Sequence, residues 1–425
     1  MEILFFTVFL LLLLLNKSKS KSLFNGFAIV FTPYTFIIVV NNFFCPDFYS
    51  IRQEVIAILL LGMIVYEAVF LVFYFANKNK PLGSTERLID CASIIKFRLI
   101  EWLVALITFF RLISVGLVLL RGGLSLLSAD NYSSLDLGII GGRFIIFLYP
   151  LGWILGLKAF NPNIRLKKRV FDLFLSFVIV LVLFLSTVKA HAAIFAIGLF
   201  VVACIVNKKN IIKGGVVLVL LVFLLFFGNY AIRWFAADSS IPTLEYTIRH
   251  FWKYVAGGTI NMNGTALSGT TQYNFFDYWV QVISPIPNEF LGVVGLKIQR
   301  PGYLPYIASM ASVSPKFEEL SNVINLFGFF YGEGGLNIIG YIINVAFFAF
   351  ITEYASFNVR NPKTIARFVF SVCILTYAFL SFFSLYYATS GFWQIMIYSL
   401  IIPWIFGGGI KGLSLSRRSI NKSLC

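Results

Sequence analysis

"KAHAAIFAIGLFVVACIVNKKNIIKGGVVLVLLVFLLFFG" (residues 189–228) decides the fold. It holds two apolar runs, parted by a short segment carrying Lys208, Lys209 and Lys213. Neither run alternates between apolar and polar faces, as a helix of a soluble domain does. Each approaches the roughly 20 apolar residues that cross a bilayer, and a short basic loop between two such runs marks the cytoplasmic side. The whole chain follows this pattern. Of 425 residues, 59% are hydrophobic and 12% charged, and the mean hydropathy is +0.88. A soluble domain is nearer 45–50% apolar and about 25% charged. A soluble globular enzyme, a disordered chain and a disulfide scaffold are therefore excluded.

Read outward from that stretch, the sequence predicts an all-α polytopic membrane protein with about eleven spans. They fall near residues 3–15, 23–40, 54–76, 99–120, 138–157, 170–188, 190–206, 214–230, 335–353, 365–385 and 389–407. The sixth and seventh are parted only around Lys189 and His191. Residues 1–230 thus carry eight spans, 231–334 one large extracytoplasmic loop, 335–407 three spans and 408–425 a basic tail. The net charge of +16 would suggest nucleic acid in a soluble protein. Here 23 of the 34 Lys and Arg fall on one side of the spans, 9 on the other and 2 (Arg111, Arg143) within spans. The alternation never slips, which places the N-terminus outside and the C-terminus in the cytoplasm. Of five cysteines only Cys45 is on the outer side, so no outer disulfide within the chain is expected, and no Cys/His spacing suits a metal.

The loop 231–334 is where chemistry is expected, because a hydrophilic stretch of that length is usually functional. "TLEYTIRHFWKYVA" (243–256) reads as an amphipathic helix and "YNFFDYWVQVI" (273–283) as a second, interfacial one. Its rings, among them Trp234, Tyr246, Trp252, Tyr254 and Trp279, suit stacking on sugar faces and equally the membrane interface. Residues 231–320 hold six basic and six acidic residues, which argues against nucleic acid. Glu245, Arg249 and Lys253, at i, i+4 and i+8, share one helix face as an ion-pair ladder or a cationic phosphate site, with His250 or Glu245 able to act as base. Glu67 and Arg111, in spans three and four at depths differing by roughly 6 Å, lie close enough in depth to pair. Arg111, Arg121 and Arg143 would line the floor of an outward cavity suited to a pyrophosphate. No Walker A loop, GxSxG elbow, HExxH or paired-carboxylate motif is present.

Two stretches carry a family likeness. "LSTVKAHAAIFAIGLFVV" (185–202) resembles the Ser-x-x-Lys/Arg-Ala pattern of the O-antigen and capsular repeat-unit polymerases (Wzy-type) at Ser186, Lys189 and Ala190. "SNVINLFGFFYGEGGLNIIG" (321–340) resembles the run that closes their large loop at Asn322, Val323, Tyr331, Gly335 and Gly340. Asn325, Glu333 and Gly334 stand where that run has Thr, Asp and an aromatic. The resemblance implies an enzyme of the bacterial inner membrane. Such an enzyme transfers a growing glycan from polyprenyl pyrophosphate to the sugar hydroxyl of a new lipid-linked repeat unit, with no cofactor or metal. Fitted to that reaction, Arg249, Lys253, Arg121, Arg143 and Lys189 would bind the pyrophosphates, and His250 or Glu333 would take the hydroxyl proton. The partners implied are the lipid-linked oligosaccharide, membrane lipid and a chain-length regulator. An O-antigen ligase or another polyprenyl-phosphate-dependent glycosyltransferase stays open beside it. So does a lipid-linked oligosaccharide flippase.

Overall fold

The computed structural model describes residues 1–78, 95–122, 144–185, 189–207, 211–236, 244–264, 280, 282–291, 295–296, 311–321, 323–333, 338–384 and 386–408. They are overwhelmingly helical: α1 Glu2–Ser20, α2 Gly26–Phe44, α3 Gln53–Asn77, α4 Phe97–Gly122, α5 Leu148–Ala159, α6 Leu166–Leu185, α7 Lys189–Val206, α8 Ile211–Ala236, α9 Leu244–Asn261, α10 Pro285–Leu291, α11 Leu326–Glu333, α12 Ile338–Arg360, α13 Ile365–Phe379 and α14 Ser390–Pro403. One small antiparallel pair, β1 Ala311–Ser312 with β2 Leu320–Ser321, lies in the stretch read as a loop.

Among the described residues seven helices are long and apolar enough to cross a membrane, namely α1–α4 and α12–α14, the last two counted with the short turns that follow them. Helices also stand at the other expected spans, but α5, α7 and the apolar part of α8 are shorter, and α6 opens on the charged residues Lys167, Lys168, Arg169 and Asp172. The first span is longer than its apolar core suggests, because α1 continues through Asn16–Ser20. Asn16 is fully buried there and donates to Glu67 Oε2 at 2.7 Å. Glu67 thus takes a neutral amide from α1.

Contacts divide the chain into two compact units, the first made of Met1–Lys80, Phe226–Ser356 and Ile374–Gln394, the second of Pro81–Leu225, Phe357–Cys373 and Ile395–Cys425. In the first unit α1, α2 and α3 pack on one another around an aromatic core. Phe31 meets Tyr66 edge-on at 5.5 Å, and Tyr34 meets Phe327 at 5.2 Å. Two buried tyrosine hydroxyls reach backbone carbonyls, Tyr34 to Ser381 O and Tyr341 to Ile58 O, both at 2.7 Å. Phe327 belongs to α11, so the end of the 231–334 stretch is buried among apolar helices and is not a surface loop.

A buried carboxylate closes the start of α2. Glu353 of α12, 1% exposed, accepts the Phe27 amide and the Tyr66 hydroxyl, each at 3.1 Å. Asn25 caps the same turn through Ala28 N at 2.8 Å. A carboxylate there satisfies an orphan N–H and faces the positive end of the helix dipole. At Gly26 a Cβ would stand 2.5 Å from both Glu353 Oε1 and Tyr66 Oη, so these two hydrogen-bonded side chains would have to move. Gly26→Ala is expected to cost about 1–3 kcal/mol through overpacking. At Gly116 of α4 a Cβ meets nothing within 4 Å, so Gly116→Ala is the control. Thermal unfolding in detergent checks this, and equal melting of the two variants would refute it.

In the second unit α4, α5, α6 and α7 pack together. Glycines of α5 and α7 allow close approach: a Cβ on Gly198 would run into the Trp153 ring, and one on Gly152 into Phe195, as at small-residue crossings in membranes. One lysine ties three helices. Lys158 Nζ of α5 lies 2.6 Å from Glu101 Oε1 of α4 and 3.0 Å from Asp172 Oδ2 of α6, and the Asp172 side chain is fully buried.

Candidate functional site

The amphipathic segment does form a helix. Yet α9 runs Leu244–Asn261, five residues past the expected end at Ala256, through the Gly257–Gly258 pair. Tertiary contact explains the glycines. A Cβ on Gly258 would meet the Phe383 carbonyl oxygen at 2.7 Å, and one on Gly257 would meet Ser321 Oγ at 2.8 Å. Residues 321 and 323–325 lie along this half of the helix. Asn325 N donates to Gly258 O at 3.2 Å, and Asn261 Nδ2 donates to Ser321 O at 3.0 Å and Val323 O at 2.8 Å. Asn325 Oδ1 then accepts Gly328 N at 2.7 Å and caps α11. On the opposite flank Trp252 Nε1 donates to Asn41 Oδ1 of α2 at 3.0 Å.

The charged face is arranged differently from an i, i+4, i+8 ladder. Its first rung forms, with Arg249 Nη1 3.6 Å from Glu245 Oε1. The Arg249 guanidinium also lies 3.6 Å from the centre of the Phe317 ring, a cation–π contact, and its Nε is buried without a hydrogen-bond partner among the described residues. Lys253 leaves the ladder for a residue the sequence reading passed over: its ammonium is 2.6 Å from Oε2 of Glu319, whose side chain is 7% exposed. The same oxygen is 3.7 Å from His250 Nδ1. Rings surround the imidazole, with Tyr246 stacked at 5.6 Å and Tyr254 edge-on at 5.2 Å.

Phe317 and Glu319 come from the turn between β1 and β2. Val313 N donates to Glu319 O at 2.9 Å, and the turn is tied to the α2–α3 connection, where Tyr49 N donates to Val313 O at 3.0 Å and Lys316 Nζ pairs with Asp47 Oδ1 at 2.7 Å. Burial, and secondarily the Asp47 carboxylate, push the nearby Cys45 thiol up. It is held as a thiol and makes a poor nucleophile.

Three of the candidate residues, Arg249, His250 and Lys253, are thus brought together. The others fall elsewhere. Glu333 is the last residue of α11, Lys189 the first of α7, and Arg121 lies in the last turn of α4; their side chains, like the whole of Arg143, lie outside the described residues. The second histidine, His191, is hydrogen-bonded through Nδ1 to the Tyr149 hydroxyl, away from any described carboxylate pair. Among the described residues no group of three or more His, Cys, Asp or Glu could hold a metal ion. Fold and site define a helical, membrane-embedded protein with a Glu/Lys/His/Arg cluster on an amphipathic helix. No protein-family model, curated protein or solved structure matches the chain.

Proposed function

We propose that this protein polymerises lipid-linked oligosaccharide repeat units into surface polysaccharide, O-antigen or capsule, at the outer face of a bacterial inner membrane. One observation carries the reading. Two stretches that the sequence singles out for separate reasons, the charged helix 244–261 and the family-like run beginning at Ser321, are bound to each other. The turn that precedes the run supplies the residues facing Arg249, His250 and Lys253. In this reading the chain crosses the membrane eleven times, with the N-terminus outside and the C-terminus in the cytoplasm. The distribution of 23 of 34 basic residues on one side supports that count.

His250 takes the proton of the acceptor hydroxyl and Arg249 faces the leaving pyrophosphate. Arg121, Arg143 and Lys189 are further cations for the phosphates, and Glu333 is the second candidate base. Protein cations stabilise the leaving group without a metal or nucleotide.

Deleting the gene and resolving the surface polysaccharide on a gel tests this. Loss of the ladder with survival of a single-repeat band is expected. A full ladder in the deletion strain would end the proposal, and loss of every attached repeat would point to the ligase, flippase or earlier transferase.

A further inference from the structure

We infer that the cations of α9 are divided between two tasks: Arg249 meets the anion, while Lys253, Glu319 and His250 form a proton relay in which Glu319 is the positioning residue. The inference rests on the polymerase reading above and deepens it. From sequence Lys253 reads as a solvent-facing rung of an ion-pair ladder or as a phosphate ligand. The 2.6 Å contact with a buried carboxylate commits it. Arg249 differs. Its acidic neighbour Glu245 is 74% exposed and 3.6 Å away, a pairing that water screens heavily, and a donor nitrogen is left over.

Glu319 is then placed between two groups of opposite duty. Lys253 fixes the carboxylate, and the carboxylate faces Nδ1 of His250. At 3.7 Å the carboxylate makes no hydrogen bond with Nδ1, so it acts on the ring as a counter-charge that stabilises the imidazolium. Tyr246, Tyr254 and Phe226 pack around the ring and bring no charge of their own. Among the described residues the charged groups facing it are Glu319 and, through it, Lys253, with Arg249 next along the helix.

In the reaction, the His250 imidazole takes the proton of the acceptor hydroxyl as that oxygen bonds the donor's anomeric carbon. The bond from that carbon to the pyrophosphate oxygen breaks, and its electron pair leaves with the pyrophosphate. The imidazolium so formed faces the Glu319 anion and later returns its proton to water.

Membranes of the deletion strain carrying wild-type or variant protein, supplied with lipid-linked repeat units extracted from that strain, test this from about pH 5 to pH 9. Glu319→Gln keeps a hydrogen bond to Lys253 but removes the charge. Its maximal rate is expected to fall about tenfold to a hundredfold, and the acid limb of its pH–rate profile to move to lower pH, because the imidazolium loses its counter-charge. Glu319→Asp is expected to keep the wild-type limb. Lys253→Met is expected to move the limb to higher pH, since a competing cation is gone. A purely structural role moves neither limb. Coincident limbs in Glu319→Gln and wild type would overturn the relay while leaving the polymerase reading intact. A Lys253→Met variant that changes only KM would also overturn it, by returning Lys253 to the phosphate. Failure of wild-type protein to make polymer from these units would overturn the reading itself, and the relay with it.

Discussion

In the proposed polymerisation, Arg249→Ala is expected to lower polymer formation by about 10²- to 10³-fold, the usual effect of removing one preorganised donor from a developing oxyanion. The geometry gives two reasons. Its guanidinium lies over the Phe317 ring, 3.6 Å from the centre, so its position is set before substrate arrives. Its anionic neighbour is exposed and does not exhaust its donors. Arg249→Lys keeps the charge but loses the planar fork and the ring contact, so it is expected to recover only part of the activity. The measurement is the polymer ladder in the deletion strain complemented with each variant, beside the amount of variant protein in membranes. An Arg249→Ala strain with normal amounts of protein and an unaltered ladder would remove Arg249 from the site.

The largest effect on stability is expected in the second unit. Lys158→Met should destabilise the protein by about 3–5 kcal/mol, because removing one partner of a buried ion pair strands the other charge. Here it strands two carboxylates, Glu101 and Asp172, on neighbouring helices, and no water reaches the Asp172 side chain. Asp172→Asn added to Lys158→Met is expected to recover part of the loss, so the two changes will not add. Thermal unfolding of detergent-solubilised protein, followed by size exclusion, reads both effects. A Lys158→Met protein as heat-stable as the parent would show that the triad does not hold α4, α5 and α6 together.

The helices were legible because apolar runs and the i, i+4 rule are local. Glu245 and Arg249 meet as their spacing demands, and α9 begins within a residue of its expected start. Lys253 shows where that reasoning stops. The same spacing offered it Arg249's end of the ladder, and a buried carboxylate from a distant turn was the stronger partner. Nothing near Lys253 signals Glu319; the adjacent acids of "PKFEEL" were the only hint, one pair among many surface charges. Glu67 makes the same point, since nothing in its own stretch signals a neutral amide partner. Its partner is Asn16, in a segment read as a loop after the first span.

By itself, then, the amino-acid sequence determined that this is a helical membrane protein and which helix carries its charged face, since hydropathy and helical period are properties of consecutive residues. Tertiary structure alone decided that Glu319 joins Lys253 and His250, that the Gly257–Gly258 pair continues a helix, and that Glu353 closes α2 from 326 positions away. Those contacts follow from which buried polar groups find one another when apolar helices pack, and no local pattern records that outcome.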